Sequence, residues 1–363
     1  MAAEPAAARP PASDAAAGLA SSESPAEVRS FLADDTAIGR WSAAAGLTDP
    51  ETARRVFCGW ADGRLSPDLL ANLIETLGKL LPDAVDADRV LVTLDRFLGT
   101  LHSPLSAVAL FQRDPAALET LLAIVATSPY LAEIVLAEPD TWEQIRRGSG
   151  RPEKREALRE VLRADIGNQT DPRLVMRAIR RFKRREMLRI AYGDIVMGQR
   201  LETVAGQISA VADCVVAEAV RVAWQRQVQL RGEPLETDGT PATLTVLALG
   251  KLGGNELNYS SDIDLIFCFS GEGRVVGPKP CTNGEFFQRV VQEATRLIGE
   301  QTELGAAYRV DLRLRPHGSQ GPLVLPLAAV TQYYDRQGRT WERQAWVKAR
   351  CIAGDQALGG RLL

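Results

Sequence analysis

Histidine is nearly absent from this chain, since only His102 and His317 occur among its 363 residues. Any catalytic scheme centred on histidine therefore depends on one of these two. His317 follows an Arg-Pro pair and could border a site, although a histidine in a loop is more often simply solvated. The five cysteines have no Cys-x-x-Cys spacing, so the sequence suggests neither a zinc site nor a disulfide framework.

A strong charge of one sign and a long apolar run are missing as well. The formal net charge is −3, with Lys and Arg nearly balanced by Asp and Glu. This balance gives no global basic field, so we do not expect nucleic acid as a partner. The chain has no continuous apolar run long enough for a membrane span, and its start lacks the features of a signal peptide. We therefore expect no membrane partner and, by default, a cytoplasmic location.

Composition divides the chain into four segments. Residues 1–25 are mostly Ala, Pro and Ser, which cannot bury enough apolar surface to offset the entropy of ordering, so they are predicted to be disordered. Residues 26–235 place apolar side chains at helical spacing and predict a helical domain. Residues 236–325 predict a mixed domain of strands and one helix. Residues 326–363 return to helical composition and are predicted to begin a further helical domain.

Two aspartates and a glycine turn form the most informative motif. An apolar strand predicted over 243–249 leads into Gly250-Lys251-Leu252-Gly253-Gly254, and Asp262 and Asp264 then open a second apolar strand. Because they are two residues apart, their carboxylates lie on the same face of that strand. They repel each other unless a cation lies between them. Mg²⁺ prefers one or two carboxylates with substrate phosphate oxygens, and Mn²⁺ accepts the same ligands.

The alternative is that this pair is only a polar strand end, which is the commoner meaning of an isolated Asp-x-Asp. The preceding strand and glycines favour a phosphate site, because glycines let backbone N–H groups approach an anion. No Gly-Lys-Ser/Thr follows the turn, so it is not a P-loop, and no Gly-x-Gly-x-x-Gly precedes a helix. The motif thus indicates metal-dependent nucleotidyl transfer.

A third carboxylate occurs in a later alternating segment, predicted as a strand over 307–314. Asp311, Arg313 and Arg315 would share one face of it. They form either a solvated strand face or an extension of the site, with one acid joining the metal pair and two guanidinium groups facing phosphate oxygens. Beside the first motif, the second interpretation is favoured.

A basic run covers a predicted helix between Arg177 and Arg189. The ordinary explanation is a solvated face, or a face paired with acids elsewhere. The alternative is that it faces a nucleotide cleft or an acidic surface of a protein substrate.

These motifs carry a family resemblance. The chain resembles the glutamine synthetase adenylyltransferase/adenylyl-removing enzymes, members of the polymerase-β-like nucleotidyltransferase superfamily. The resemblance covers most of the chain after about residue 100, and its specific blocks are residues 180–190, 250–267, 310–316, 321–323, 333–334, 341–343 and 347–350. It implies an α+β fold: a mostly helical N-terminal domain, a polymerase-β-like palm with a small mixed sheet, and the start of a C-terminal helical region.

The resemblance also implies roles for individual residues. Asp262, Asp264 and Asp311 would be the catalytic metal ligands. Gly253, Gly254 and Ser261 would frame the phosphate site. Arg313 and Arg315 are nominated from their chemistry, as phosphate-binding groups, rather than from the family pattern.

Enzymes of this family carry two related domains, an N-terminal one that removes AMP from a tyrosine of glutamine synthetase by phosphorolysis and a C-terminal one that adds AMP from ATP. This chain has room for one, and its motifs are similar to those of the removing copy, since the adding copy usually has Gly at the position of Asn258 and Leu at that of Ile263. The resemblance implies glutamine synthetase, nucleotide and phosphate as partners, and a PII-type regulatory protein as a further one. AMP addition and a catalytically silent docking module remain alternatives. Because family members continue with more helices, we expect a truncated C-terminal domain.

Overall fold

The computed structural model describes residues 25–63, 65–139, 141–142 and 150–363. The tail predicted over residues 1–25 lies outside these residues, apart from Pro25 at the start of the first helix. Backbone contacts divide the chain into two compact units: the first unit is residues 1–150 with 191–198, and the second unit is residues 151–190 with 199–363.

The described residues of the first unit form helices joined by turns and short loops, as the spacing of its apolar side chains predicts. Ser66-Pro67, Ser103-Pro104 and Ser128-Pro129, which predict breaks, each begin a helix with proline in its first turn, where its missing N–H costs nothing. The helices are α1 (Pro25–Ala33), α2 (Asp35–Ala44), α3 (Pro50–Ala61), α4 (Pro67–Leu80), α5 (Ala87–Thr100), α6 (Pro104–Arg113), α7 (Pro115–Thr127) and α8 (Pro129–Ala137).

Aromatic side chains fill part of the core of this unit. Trp41, Phe57 and Trp60 are fully buried. The ring centroid of Phe57 lies 4.9 Å from that of Trp41 and 5.7 Å from that of Trp60, within the range of favourable aromatic pairs. The Trp60 indole N–H donates to Asp95 over 2.8 Å, so its polar end is satisfied inside the helical packing.

The second unit combines helices with two sheets. Its helices are α9 (Arg155–Ile166), α10 (Pro172–Ile195), α11 (Leu201–Arg231), α12 (Gly250–Gly253), α13 (Asn283–Gly299), α14 (Leu327–Arg336), α15 (Thr340–Ala345) and α16 (Gln356–Leu362), with residues 191–195 of α10 assigned to the first unit. Its strands are β1 (Glu233–Glu236), β2 (Leu244–Leu249), β3 (Ile263–Phe269), β4 (Gly273–Val276), β5 (Val310–Asp311), β6 (Val324–Pro326) and β7 (Arg350–Gly354).

The central sheet is mixed, in the order β5-β3-β2-β7. Strand β2 pairs antiparallel with β3 on one side and with β7 on the other. The other side of β3 pairs parallel with β5 near its start and with β6 near its end, while β1 and β4 form a separate antiparallel ribbon. Helices with a small mixed sheet confirm the α+β class.

The predicted boundary at 235/236 does not separate the two units, because α11 packs on the helix that covers the sheet. The Trp224 ring centroid of α11 lies 5.6 Å from those of both Phe286 and Phe287 of α13. Helix α11 is long and apolar enough to satisfy a composition test for a membrane span, but that stretch is mostly buried within the structure. Its apolarity therefore has an ordinary explanation in packing.

Two sequence expectations after residue 300 are wrong. The strand predicted over 307–314 is only Val310–Asp311, since the chain then turns, with the Arg315 N–H bonded to the carbonyl of Leu312. The helical region predicted after 326 contains β7, an edge strand of the central sheet, so 325/326 is not the end of the mixed fold. Strand β7 has five residues and lies among short helices, so its side-chain alternation is too brief to be recognised in the sequence.

Two cations of the basic run on α10 bind main-chain carbonyls inside the second unit. Arg180 is 1% exposed, and its guanidinium donates to the carbonyls of Gly305 and Leu297 over 2.7 and 3.0 Å. The Lys183 ammonium donates to the carbonyl of Ala307 over 2.5 Å and lies 4.3 Å from the Tyr308 ring centroid. These two cations anchor the loop before β5, a third use that neither interpretation of the run included.

Candidate nucleotidyl-transfer site

A tight glycine turn carries the chain from β2 toward the carboxylates. Gly250, the first residue of α12, has φ +57°, in the left-handed region that favours glycine. A Cβ placed there would lie 2.4 Å from the carboxylate Oδ2 of Asp264. The absence of a side chain at Gly250 therefore lets the turn lie directly against the second aspartate of the motif.

Asp264 and Asp311 are brought side by side by strand register. They are partners across the parallel pair β3–β5, and Leu249 is the partner of Asp264 on β2. Side chains at paired positions of neighbouring strands lie on the same face of the sheet. The two acids, far apart in the sequence, thus share one edge of the sheet beside the glycine turn.

Asp262 and Asp311 are each paired with a nearby arginine. The Arg309 guanidinium donates to the carboxylate of Asp262, a pair that is well exposed. The Arg313 guanidinium binds Asp311 through contacts of 2.5 to 3.0 Å, and its backbone N–H donates to the same carboxylate over 2.8 Å. These hydrogen bonds hold the pKa of Asp311 below its usual value, against the opposing effect of burial.

Asp264 is in the opposite electrostatic situation. Within the described residues its carboxylate has no hydrogen-bonding or ion-pair partner. Burial raises its pKa, and the negative charges of Asp311 and Asp262 raise it further, against a smaller opposing effect of Arg313. A half-buried carboxylate beside two like charges is stabilised by any cation that reaches it.

The donor set suits an oxygen-preferring divalent cation, because it supplies carboxylates without soft or imidazole ligands. In this conformation, however, no three His, Cys, Asp or Glu side chains among the described residues are arranged to hold a metal. The carboxylates of Asp262 and Asp311 are bound to guanidinium groups instead. Coordination of one ion by all three acids would require both to exchange an arginine for the metal.

Arg315 does not extend this site as predicted. Its guanidinium is buried and donates to main-chain carbonyls, at 3.0 Å to Gly321 and 2.8 Å to Leu312. Burial lowers its pKa. Arg315 therefore braces its own loop, whereas Arg313 stays exposed beside Asp311, because the chain leaves the extended conformation after β5 and the shared strand face is lost.

The three residues expected to frame a phosphate lie along the glycine turn and the loop after it. Gly253 is buried, and a Cβ there would lie 2.4 Å from the carbonyl oxygen of Lys348. At Gly254 the nearest obstruction is the flexible Lys348 side chain, at 2.9 Å. Ser261 donates its hydroxyl to the Asn258 side chain, immediately before Asp262.

Two other features of the second unit have neighbours other than the three carboxylates. The His317 ring packs edge-on against Tyr333, with centroids 4.6 Å apart. A cavity of about 540 Å³ lies elsewhere in the second unit, and none of the three aspartates lines it. The cavity therefore supplies no argument about the chemistry at the sheet edge.

Sequence reasoning included Arg350 in a motif block but missed the contacts by which it holds the glycine turn. Arg350 donates to the carbonyls of Leu252 and Gly253, over 2.9 and 3.2 Å. It also binds Asp213 of α11. An acid in the middle of an otherwise apolar helical stretch was the available signal, because a buried charge requires a partner.

Comparison with known proteins identifies the family of the chain. A family model described as "Glutamate-ammonia ligase adenylyltransferase" matches residues 118–363. The chain is 38% identical over 290 residues to the bifunctional glutamine synthetase adenylyltransferase/adenylyl-removing enzyme of Thioalkalivibrio sulfidiphilus. This alignment covers 78% of this chain and 29% of that protein. It is 39% identical over 299 residues to the enzyme of the same name from Pseudomonas aeruginosa, covering 81% of this chain and 30% of that protein.

The chain thus spans about 30% of the length of these relatives. The matched residues include the glycine turn, all three aspartates and β7. The chain belongs to the glutamate-ammonia ligase adenylyltransferase family.

Proposed function

We propose that the second unit is a polymerase-β-like nucleotidyltransferase palm, and that it removes AMP from an adenylylated tyrosine of glutamine synthetase. The observation that carries the proposal is the register of Asp264 with Asp311 beside the glycine turn. Family membership supplies the substrate class, because the relatives are named as enzymes that act on glutamine synthetase. Nucleotidyl transfer needs little covalent chemistry from the protein, so positioned charge is sufficient.

In the proposed reaction an oxygen of inorganic phosphate attacks the phosphorus of AMP. The bond from that phosphorus to the tyrosine oxygen breaks, the tyrosine recovers its proton, and the new phosphoanhydride is ADP. Asp262, Asp264 and Asp311 would hold Mg²⁺, or Mn²⁺, which would supply positive charge to stabilise the negative charge that develops during the transfer. No serine, cysteine or histidine nucleophile is required.

The arginines and glycines have distinct parts in this scheme. Arg313 is exposed beside Asp311 and can turn its guanidinium to a phosphate oxygen once that carboxylate has another cation. Gly253, Gly254 and Ser261 would frame the phosphate. Arg315 is left out, because its donors are used by carbonyl oxygens of its own loop.

Removal is preferred over addition because Asn258 and Ile263 stand where the resemblance to the adding copy would require Gly and Leu. A silent docking module is disfavoured, since Asp264 bears repulsion from two other carboxylates and a module without chemistry has no use for that cost. A cytoplasmic location and a PII-type regulatory partner belong to the same proposal.

The test is ADP formation from adenylylated glutamine synthetase, with this chain, phosphate and Mg²⁺. We expect ADP that depends on both phosphate and metal and that is lost in Asp262→Asn/Asp264→Asn. Pyrophosphate released from ATP and unmodified glutamine synthetase would instead establish the adding reaction. If a folded chain that binds metal forms neither ADP nor pyrophosphate, the result would contradict the proposal.

A further inference from the structure

The glycine turn packs directly against Asp264, so its position sets the space around that carboxylate. Gly250 lies directly against the Asp264 carboxylate, and Gly253 lies against the backbone of Lys348 and Ala248. These approaches leave no room for a side chain at either glycine. A small shift of the turn would therefore change the space and the backbone dipoles at Asp264.

A buried acid holds this turn from behind. Asp213 of α11 is 1% exposed and receives both Nη groups of Arg350, over 2.7 and 2.9 Å. The same guanidinium donates to the carbonyls of Leu252 and Gly253. One planar group thus fixes two carbonyls of the turn to α11, an arrangement that uses the fork of donors specific to arginine.

The far end of the turn is held by the same helix. Arg155 binds Asp213 over 2.8 Å and donates to the side chain of Asn255 over 3.3 Å. The backbone N–H of Leu257 donates to the Ser209 hydroxyl over 3.1 Å. Residues 252–257 are therefore held on α11 at both ends. The three charged residues Arg155, Asp213 and Arg350 form what we call the Asp213 cluster.

We propose that the Asp213 cluster is a set of positioning residues for the nucleotidyl-transfer site: it fixes the glycine turn and, through Gly250, the geometry of Asp264. Within the described residues none of its members is hydrogen-bonded or ion-paired to Asp262, Asp264 or Asp311. The proposal rests on the proposed function for the chemistry at Asp264, whereas the fixing of the turn is independent of it.

The electrostatics of the cluster predict that it is sensitive to single changes. Burial raises the pKa of Asp213, against the opposing charges of Arg350 and Arg155. Removing one member of a buried pair leaves the other charge uncompensated. Asp213→Asn therefore frees Arg350 from its anchor, and Arg350→Lys keeps the charge but loses the fork that reaches two carbonyls at once.

A matched control is available on the same helix. Glu218 is fully buried farther along α11 and binds Arg159, Arg163 and Arg221, none of which belongs to the glycine turn. Glu218→Gln disturbs a comparable buried ion cluster, so it reports the general effect of weakening α11.

The experiment compares Asp213→Asn, Arg350→Lys and Glu218→Gln in the 363-residue chain. Mn²⁺ affinity is measured by electron paramagnetic resonance, and amide hydrogen exchange is followed at Gly254, Asn255, Glu256 and Leu257. We expect about tenfold weaker Mn²⁺ binding in the first two variants, the lower end of the range for residues that orient metal ligands. Exchange at the four amides should be faster in Asp213→Asn and Arg350→Lys. In Glu218→Gln the exchange rates and the Mn²⁺ affinity should both stay within twofold of wild type.

The steady-state readout separates positioning from general damage. We expect kcat for ADP formation to fall together with Mn²⁺ affinity in Asp213→Asn and Arg350→Lys, and to be retained in Glu218→Gln. Folded cluster variants with wild-type exchange and Mn²⁺ affinity would overturn the proposal, as would equal losses in the control. If the wild-type chain neither binds Mn²⁺ nor forms ADP, the proposed function fails. The positioning role is tested separately, because unchanged amide exchange in Asp213→Asn and Arg350→Lys would overturn it whatever the activity.

Discussion

The acids of the second unit differ in whether they are paired with arginine. On α11, Asp213 is bound by two arginines and Glu218 by three, and both are almost completely buried. At the sheet edge Asp264 is half-buried, is close to two other acids, and has no ion-pair partner among the described residues. We infer from the comparison that acids paired with arginine hold structure on α11, whereas the unpaired Asp264 belongs to the proposed metal site.

The largest effect is expected when the uncompensated acid is removed. Asp264→Asn should lower the rate of ADP formation by about a thousandfold or more, since electrostatic stabilisation of the transition state usually contributes most to catalysis. Thermal unfolding should stay at the wild-type temperature or rise, because repulsion from Asp262 and Asp311 is relieved. Steady-state kinetics and melting curves measure the two effects, and a destabilised variant with full activity would remove the contrast between the two kinds of acid.

A compensated acid should show the reverse pattern. Burial favours the neutral form of Glu218, but hydrogen bonds from Arg163, Arg159 and Arg221 outweigh burial and lower its pKa. Glu218→Gln should reduce the free energy of unfolding by about 3 kcal/mol, because charges in the cluster lose their partner. Urea denaturation measures this loss, and kcat for ADP formation should remain within twofold. A large loss of kcat without a loss of stability would contradict a purely structural role.

Lys183 is an intermediate case, a partly buried cation whose partners among the described residues are a carbonyl and an aromatic ring. Burial lowers its pKa from 10.5 to about 8, and the charge of Arg180 adds to the effect. Below pH 8 both the folded and the unfolded chain keep the proton, while between pH 8 and 10.5 only the unfolded chain keeps it. The unfolding free energy should therefore rise over that interval, relative to Lys183→Met, by about 1 to 2 kcal/mol.

The check is urea denaturation of both proteins at about pH 7.5, 9 and 10, of which the first lies below the interval in which linkage predicts the change and the other two lie within it. A difference between wild type and Lys183→Met that stays constant across the three values, or that moves in the opposite direction, would show that Lys183 is not held as a costly buried charge.

The smallest effect is expected at an exposed pair. Arg313 is 78% exposed, so its ion pair with Asp311 adds little to stability, and Arg313→Gln should melt within a degree or two of wild type. Because the substitution frees Asp311, Mn²⁺ should bind a few-fold more tightly, while the KM for phosphate rises. Calorimetric titration with Mn²⁺ measures the first effect, and weaker Mn²⁺ binding would show that Arg313 supports the metal ligands rather than competing with them.

The sequence predicted the elements around the candidate site better than it predicted those after residue 300. The sequence predicts strands over 243–249 and 262–269 and a helix over about 285–303. Strands β2 and β3 and helix α13 lie within about four residues of these positions, because each has strong periodicity or strong turn chemistry beside it. The segment after Asp311 departs from its prediction, since Arg313 and Arg315 alternate like strand residues yet lie in a turn. Strand β7 is absent from the prediction because its pairing with β2 is a long-range contact.

By itself, the sequence determined the local elements and the chemistry they can carry: acids two apart on one strand, glycines where backbone must approach closely, and an apolar α11. Only the tertiary structure decided which charges meet. It placed Asp311 in register with Asp264, turned Arg315 into its own loop, and joined Asp213 to Arg350 across 137 residues. The physical reason is that periodicity is set by near neighbours, whereas the partner of a charge is set by packing between segments far apart in the chain.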